Sequence, residues 1–180
     1  LYVQQLSDLI LALDIKKELI LVGHSFGSIV ASEFSRRYPD AISALVMISP
    51  AGFEIEASAT SKLLGVPGLG ELVMKSFGTS SLIEHNKKYF VKPELAQQEI
   101  KRYKQQMRIK GFKKAQLSTI RNAPLNDYEE GYSRLKELNF PKLLLWGRED
   151  RTFPFVHSQS MMMHIPVSYT HLRAHETCLD

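Results

Sequence analysis

One cysteine in 180 residues, Cys178, leaves the chain without a disulfide framework or a cysteine metal site. No stretch approaches the roughly 18 consecutive apolar residues of a membrane-crossing helix, so no transmembrane segment is expected. The charge excess is small: 23 Lys and Arg against 19 Asp and Glu give +4. That balance by itself implies no nucleic-acid partner. The six histidines include no pair sharing a helical i, i+4 face with a carboxylate in a recognised spacing, which argues against a metal site. The chain also lacks a starting methionine. It enters a helix-like segment, Leu6 to Leu13, almost at once, and so reads as a chain whose start is missing. The compartment cannot be read from such an N-terminus, and a cytoplasmic location is the expectation. What remains, 44% hydrophobic and 23% charged, is the composition of one soluble globular domain with a sizeable core.

The feature that stands out is Gly23-His24-Ser25-Phe26-Gly27, which follows the apolar run Leu19-Ile20-Leu21-Val22. A serine is a poor nucleophile at neutral pH, so a fold that uses one presents its Oγ at a sharp turn, beside a base and backbone N–H donors. Glycines two residues before and after Ser25 are expected to remove side chains that would collide where strand and helix cross. Downstream, Phe26, Val30 and Phe34 recur at i, i+4, i+8 beside Ile29, the pattern of an amphipathic helix. Gly27 and Ala31 form a small-residue ridge along it, Arg36 and Arg37 suit its C-terminal end, and Pro39 stops it. Ile42 to Ser49 reads as a second buried strand, so residues 19–49 form a strand-helix-strand unit of a parallel sheet.

A second landmark is Pro141-Lys142-Leu143-Leu144-Leu145-Trp146-Gly147-Arg148-Glu149-Asp150. Lys142 to Trp146 reads as a third buried strand, with Asp150 just past its C-terminal end, where parallel sheets gather ligand-handling residues. A carboxylate there can orient a histidine and stabilise the imidazolium formed when Ser25 gives up its proton. Glu149 is the neighbouring alternative. Asp150 is preferred because it follows the Gly147 turn by three residues and precedes Arg151-Thr152-Phe153-Pro154.

With these blocks and Ile48-Ser49-Pro50-Ala51-Gly52, the chain resembles the α/β-hydrolase superfamily over roughly residues 1–166. The resemblance implies a parallel-sheet α/β core, a serine mechanism and no cofactor. Ser25 argues against the branches that place aspartate at the elbow. The resemblance also implies that the Phe26 backbone N–H is the first oxyanion donor, with a second from the loop after an earlier strand that this chain does not contain.

From Phe53 to Leu138 the periodicity turns helical, like the cap such hydrolases insert to roof the site and select substrates by apolar shape. Leu63 to Gly70 reads as a bendable apolar entry, Glu71 to Phe77 and Ser80 to Tyr89 as short helices, and Pro93 to Lys114 as a longer one. The basic cluster Lys101, Arg102, Lys104, Arg108, Lys110, Lys113 and Lys114 is read as a solvated face. Binding nucleic acid or an anionic membrane is the lesser alternative.

A triad needs a histidine, which the resemblance implies on a loop after one more strand beyond the acid. Phe155 to His164 reads as the helix after Asp150, with exit at Pro166. Residues 167–180 then contain no apolar strand and no Gly-His loop, and resemble translated read-through of a sequencing adapter. They read as a non-native tail, to be left out of fold reasoning. His175 lies near the expected distance from Asp150 but lacks the expected context, and His171 fits less well. His157 and His164 read as surface or packing residues, and His24 and His85 as packing or supporting groups.

The organisation expected is a partial hydrolase core over 1–52, a helical cap over 53–138, the acid-bearing strand and helix over 139–166, and the tail over 167–180. The expected function is hydrolysis of a small, apolar carboxylic ester or related acyl compound through an acyl-enzyme formed on Ser25, with Asp150 as orienting acid. The alternative is a catalytically silent hydrolase-fold binding protein. The chain alone is expected to be inactive, as a piece lacking its base and second oxyanion donor. Its oligomeric state is left open.

Overall fold

In a computed structural model, residues 1–16, 18–55, 59–87, 93–150, 152–165 and 168–172 are described. Helix α1 (Tyr2–Ala12) leads to strand β1 (Leu19–His24), helix α2 (Phe26–Arg37), a 3-10 turn at Pro39–Ala41 and strand β2 (Ile42–Ile48). Five helices follow: α3 (Ala59–Gly65), α4 (Leu69–Ser76), α5 (Gly78–Lys87), α6 (Pro93–Gln106) and α7 (Phe112–Asn122). Then come α8 (Glu129–Ser133), a 3-10 turn at Arg134–Glu137, β3 (Lys142–Gly147), α9 (Val156–His164) and β4 (Ser168–Leu172).

The four strands form one sheet in the order β1-β2-β3-β4, each pair parallel. The apolar runs read from the sequence are its first three strands. The fourth departs from expectation. Ser168–Leu172 carries no apolar run, yet it pairs along β3 from Leu143↔Ser168 to Gly147↔Leu172. Tyr and Thr suit a pleated strand, and the ladder bonds offered by β3 supply what apolar periodicity does not.

Two compact units are present, Leu1–Ile55 with Pro124–Leu179, and Glu56–Ala123. In the first, one sheet face is closed by Leu45 and Met47 of β2 and Leu144 and Trp146 of β3, all fully buried. Ile29 and Ala31 of α2, Phe53, Tyr132, Leu135, Met161 and Ile165 complete this core. Residues from Pro124 to Leu138 thus pack with the strands. Helix α2 meets the sheet through small residues: Ser28, Ser32 and Ser35 are fully buried beside Ala31. Ser28 Oγ donates to the Gly23 carbonyl at 2.7 Å and Ser32 Oγ lies 3.7 Å from Met47 Sδ, so the ridge predicted at Gly27 and Ala31 is built mainly of serines. Lys142 opens β3 from within this core, its ammonium donating to the Leu138 and Phe140 carbonyls at 2.6 and 3.0 Å. Burial lowers its pKa.

The second unit consists of helices joined by turns, with no strand among its described residues. Its predicted long helix is two: α6 ends at Gln106, and α7 starts after Gly111, whose φ of +89° is a left-handed turn that favours glycine. The entry segment Leu63 to Gly70 takes in the end of α3, a turn and the first two residues of α4. Arg121 of α7 ties α3 to α4, donating to the Leu64 and Val66 carbonyls and pairing with Glu71 at 2.5 Å. That hydrogen bond, chiefly, holds the Glu71 carboxyl down to about 2.

Candidate active site

Ser25 sits one residue past β1 with φ 54° and ψ −122°, a region that costs a side-chain-bearing residue about 1–3 kcal/mol and persists only where its surroundings over-determine it. They do. Ser25 N–H donates to the Ile48 carbonyl at 3.0 Å, continuing the ladder, while its own carbonyl accepts from Ser28 N (3.0 Å) and Ala51 N (3.2 Å). Gly23 is required: a Cβ there would lie 2.6 Å from both the Gly27 carbonyl oxygen and Ser28 Cα. Gly27 is not, since a Cβ there meets no heavy atom within 4 Å. The expectation that both glycines relieve the crossing therefore holds for Gly23 alone, because only Gly23 faces the incoming helix backbone.

Phe26 opens α2, so its N–H has no acceptor within the helix and sits at the electropositive end of the helix dipole. Its ring packs edge-on against Tyr2, centroids 5.0 Å apart.

Asp150 lies three residues past β3, closing a turn through its N–H to the Gly147 carbonyl (3.2 Å). Its Oδ1 accepts from Thr152 N and Phe153 N, both at 2.8 Å. Trp146 Nε1 donates to the Phe153 carbonyl at 2.9 Å and pins the far side of the same loop. Oδ2 has no hydrogen-bond partner among the described residues. Glu149 is exposed.

Ser25 and Asp150 thus emerge at the same C-terminal edge of the sheet, from strands that flank β2. Two strand spacings amount to about 10 Å. A histidine bridging a hydroxyl and a carboxylate spans up to about 8 Å, two hydrogen bonds of about 2.8 Å plus the ring, so the edge has the scale for one between them. The described histidines are placed elsewhere. His157 stacks on Phe53 (centroids 5.2 Å, 19° between planes), the packing role expected, and His164 Nε2 lies 3.4 Å from Glu129 Oε2. His24 is exposed and, against expectation, neither packs nor donates a hydrogen bond among the described residues, because strand alternation turns it away from the core. The side chains of His85 and His171, and all of His175, lie outside the described part. By count His175 comes three residues after β4, whose last residue is opposite Gly147.

Three polar residues that sequence reasoning did not single out join this region. Ser28 bonds Gly23, as above. Tyr132 Oη donates to the Ala51 carbonyl at 2.7 Å, and Tyr128 Oη donates to Glu33 Oε1 at 2.6 Å. The tyrosines lie 81 and 95 residues from these partners, so no local pattern could have shown the contacts. In the helical unit, a groove of about 490 Å³ lined by Lys87, Gln97, Ile100, Lys101, Lys104 and Arg108 includes none of the predicted site residues. No cluster of potential metal ligands occurs among the described residues, and no described helix is long and apolar enough to cross a membrane.

A parallel sheet, a strained serine between strand and helix, and an acid past a later strand define the α/β-hydrolase fold. Residues 2–179 match the family described as serine aminopeptidase, S33, and the chain belongs to that family of hydrolases. Among curated proteins it is similar to the (lyso)-N-acylphosphatidylethanolamine lipase of Homo sapiens, 32% identical over 63 residues, which is 35% of this chain and 18% of the lipase. Among solved structures it is similar to a thermophilic esterase from Thermogutta terrifontis (TM-score 0.70, 21% identity, 96% of this chain and 62% of that one). It is also similar to a point mutant of the haloalkane dehalogenase DatA from Agrobacterium tumefaciens (TM-score 0.76, 19% identity, 95% and 64%). At these identities the two structures speak for the fold alone. The chain spans less than two thirds of each of these proteins.

Proposed function

We propose that the protein is a serine hydrolase of small carboxylic esters or related acyl compounds with an apolar acyl part, acting through an acyl-enzyme on Ser25. The observation that carries this reading is the backbone of Ser25, a serine held at φ 54° by bonds to its own N–H and carbonyl at the end of a parallel strand. Strained conformations supported in this way cluster at active sites, and a serine at a strand-to-helix turn is the form a nucleophile takes there. In the first step Ser25 Oγ attacks the acyl carbonyl carbon and its proton passes to a histidine. The oxyanion accepts from the Phe26 N–H. The alcohol leaves with the proton the histidine returns, and water repeats the sequence on the acyl-serine. Asp150 is the orienting acid: its Oδ1 is committed to its loop, which leaves Oδ2 for the imidazole N–H. Serine rather than aspartate at position 25 sets this chemistry apart from that of a dehalogenase. The lipase relative, by its name an enzyme of acylated lipids, supports an acyl substrate. The helices of 56–123 are read as the substrate-selecting cap.

The test uses a fluorophosphonate probe on the full-length protein. Labelling should fall on Ser25 and disappear in Ser25→Ala, and labelling that survives the substitution removes Ser25 from its role. The base is sought in the same way. His157 and His164 have other partners, which directs attention to the sequence after β4. Residues 1–180 alone should show no turnover of a short activated ester above background. Turnover that vanishes in His175→Ala would make the 167–180 segment genuine and His175 the base.

A further inference from the structure

The proposed oxyanion donor is one end of a rigid plane. The peptide joining Ser25 to Phe26 is trans, so the Phe26 N–H points opposite to the Ser25 carbonyl and turns only when that carbonyl turns. Two donors hold the carbonyl. Ser28 belongs to α2 itself, but Ala51 lies on a separate strap, Ser49 to Phe53, that leaves β2.

The strap is in turn gripped by the segment Leu125 to Tyr132. The peptide between Ala51 and Gly52 is bonded on both edges: Tyr132 Oη donates to the Ala51 carbonyl at 2.7 Å, and Gly52 N–H donates to the Leu125 carbonyl at 2.8 Å. The Gly52 carbonyl then accepts from Tyr128 N at 2.8 Å. Gly52 has φ +109°, and a Cβ there would lie 2.7 Å from Tyr128 Cβ, so the strap fits only as glycine. Tyr128 closes the circuit to α2, its hydroxyl donating to Glu33 Oε1, which also accepts from Arg36 at 2.8 Å. Tyr132 is fully buried, and burial above all, with Tyr128 adding, raises its pKa well beyond the ordinary range. Its hydroxyl therefore stays a donor at any pH the enzyme meets.

We propose that Tyr132 is a positioning residue for the oxyanion site: its hydroxyl fixes the Ala51–Gly52 peptide, which keeps the Ala51 N–H on the Ser25 carbonyl and so aims the Phe26 N–H. The inference rests on Ser25 being the nucleophile. A packing role alone would be met by phenylalanine, which fills the same space against Phe53 and Tyr128. The hydroxyl is what the strap uses.

The experiment compares Tyr132→Phe with Tyr128→Phe in the full-length protein, counting competent sites by fluorophosphonate titration. One neutral hydrogen bond lost beside the site should lower kcat per titrated site about three- to tenfold in Tyr132→Phe, with KM little changed. The Ala51 amide should exchange its hydrogen faster. Tyr128→Phe keeps its backbone bond to Gly52 and should leave both readouts near wild type. A wild-type kcat per site in Tyr132→Phe overturns the proposal even if Tm falls, because the hydroxyl then only stabilises. If the wild type shows no Ser25-dependent labelling, the reading of Ser25 fails instead, and the brace stands or falls on the Ala51 exchange rate alone. Fluorinated tyrosines at position 132 keep the ring shape and grade the donor strength. They give the same comparison if the phenylalanine variant does not fold: kcat per site should follow donor strength, and a flat response overturns the proposal.

Discussion

Alanine at Gly23 and alanine at Gly27 should move stability in opposite directions, although the two glycines flank Ser25 symmetrically in the sequence. A Cβ at Gly23 would sit 2.6 Å from the Gly27 carbonyl oxygen, 2.6 Å from Ser28 Cα and 2.7 Å from the Gly27 carbonyl carbon, all backbone atoms of the helix it faces. None can rotate away, so α2 must back off β1, an overpacking cost of about 1–3 kcal/mol. That movement also stretches the Ser28 Oγ bond to the Gly23 carbonyl, now 2.7 Å. The bond is worth about 1 kcal/mol. The sum, about 2–4 kcal/mol, corresponds to a Tm lower by about 5–15 °C in a domain of this size. At Gly27 a Cβ meets nothing within 4 Å, and the residue lies in α2 without a positive φ. Alanine there should stabilise by about 0.5–1 kcal/mol through reduced backbone entropy and better helix propensity. Thermal unfolding of the two variants of the full-length protein, beside fluorophosphonate labelling, measures both effects. A Gly23→Ala protein that melts with the wild type, or a Gly27→Ala protein that loses as much as Gly23→Ala, would refute this account of the crossing.

Three further outcomes are expected. Asp150→Asn retains an oxygen for the Thr152 and Phe153 amides, so it should fold normally while turnover drops by about 10⁴-fold, the scale for a triad's orienting acid; wild-type rates would move the assignment to Glu149 or another carboxylate. Glu71 is held near 2, below its ordinary 4.5, chiefly by the hydrogen bond from Arg121. A depressed carboxylate stabilises above its unfolded pKa and loses that contribution as pH falls through the folded one, so the hydrogen-exchange protection factors in α3, α4 and α7 should fall between pH 4.5 and about 2. Glu71→Gln should abolish that dependence, and an unchanged profile would refute it. Finally, β1 is a sheet edge with Ile20 and Val22 64% and 62% exposed, and an apolar edge is a template for pairing. Residues 1–180 expressed alone should self-associate, less so with Val22→Lys, whereas a monomer that melts cooperatively would contradict this.

The parts of the molecule legible in the sequence are those where local pattern and final packing coincide. The run Leu19 to Val22, the i, i+4 spacing of Phe26, Val30 and Phe34, and the run Lys142 to Trp146 each mark an element by its own apolar residues. Ser25 and Asp150 could be placed at one sheet edge because both follow such runs closely. The break between α6 and α7 is hidden because the apolar spacing of Ile100, Tyr103 and Met107 masks the left-handed turn at Gly111. Strand β4 is hidden because it is recruited by the ladder of β3 rather than by its own apolar residues. The brace through Tyr128 and Tyr132 is invisible for a different reason: its bonds join residues that only the folded chain brings together, and a tyrosine in the sequence does not say where its hydroxyl will find an acceptor.

Trp146 is the chain's one tryptophan, and it is fully buried with its indole N–H on the Phe153 carbonyl, inside the loop that carries Asp150. Intrinsic fluorescence therefore has a single tryptophan source, seated under the proposed acid. While the loop is docked the emission should be blue-shifted and poorly quenched by iodide. Any event that lifts residues 147–153 from the core should redden and expose it before the rest of the fold is lost. The protein thus carries an optical gauge of the Asp150 loop that needs no label, and stopped-flow mixing with an ester analogue could follow that loop in real time.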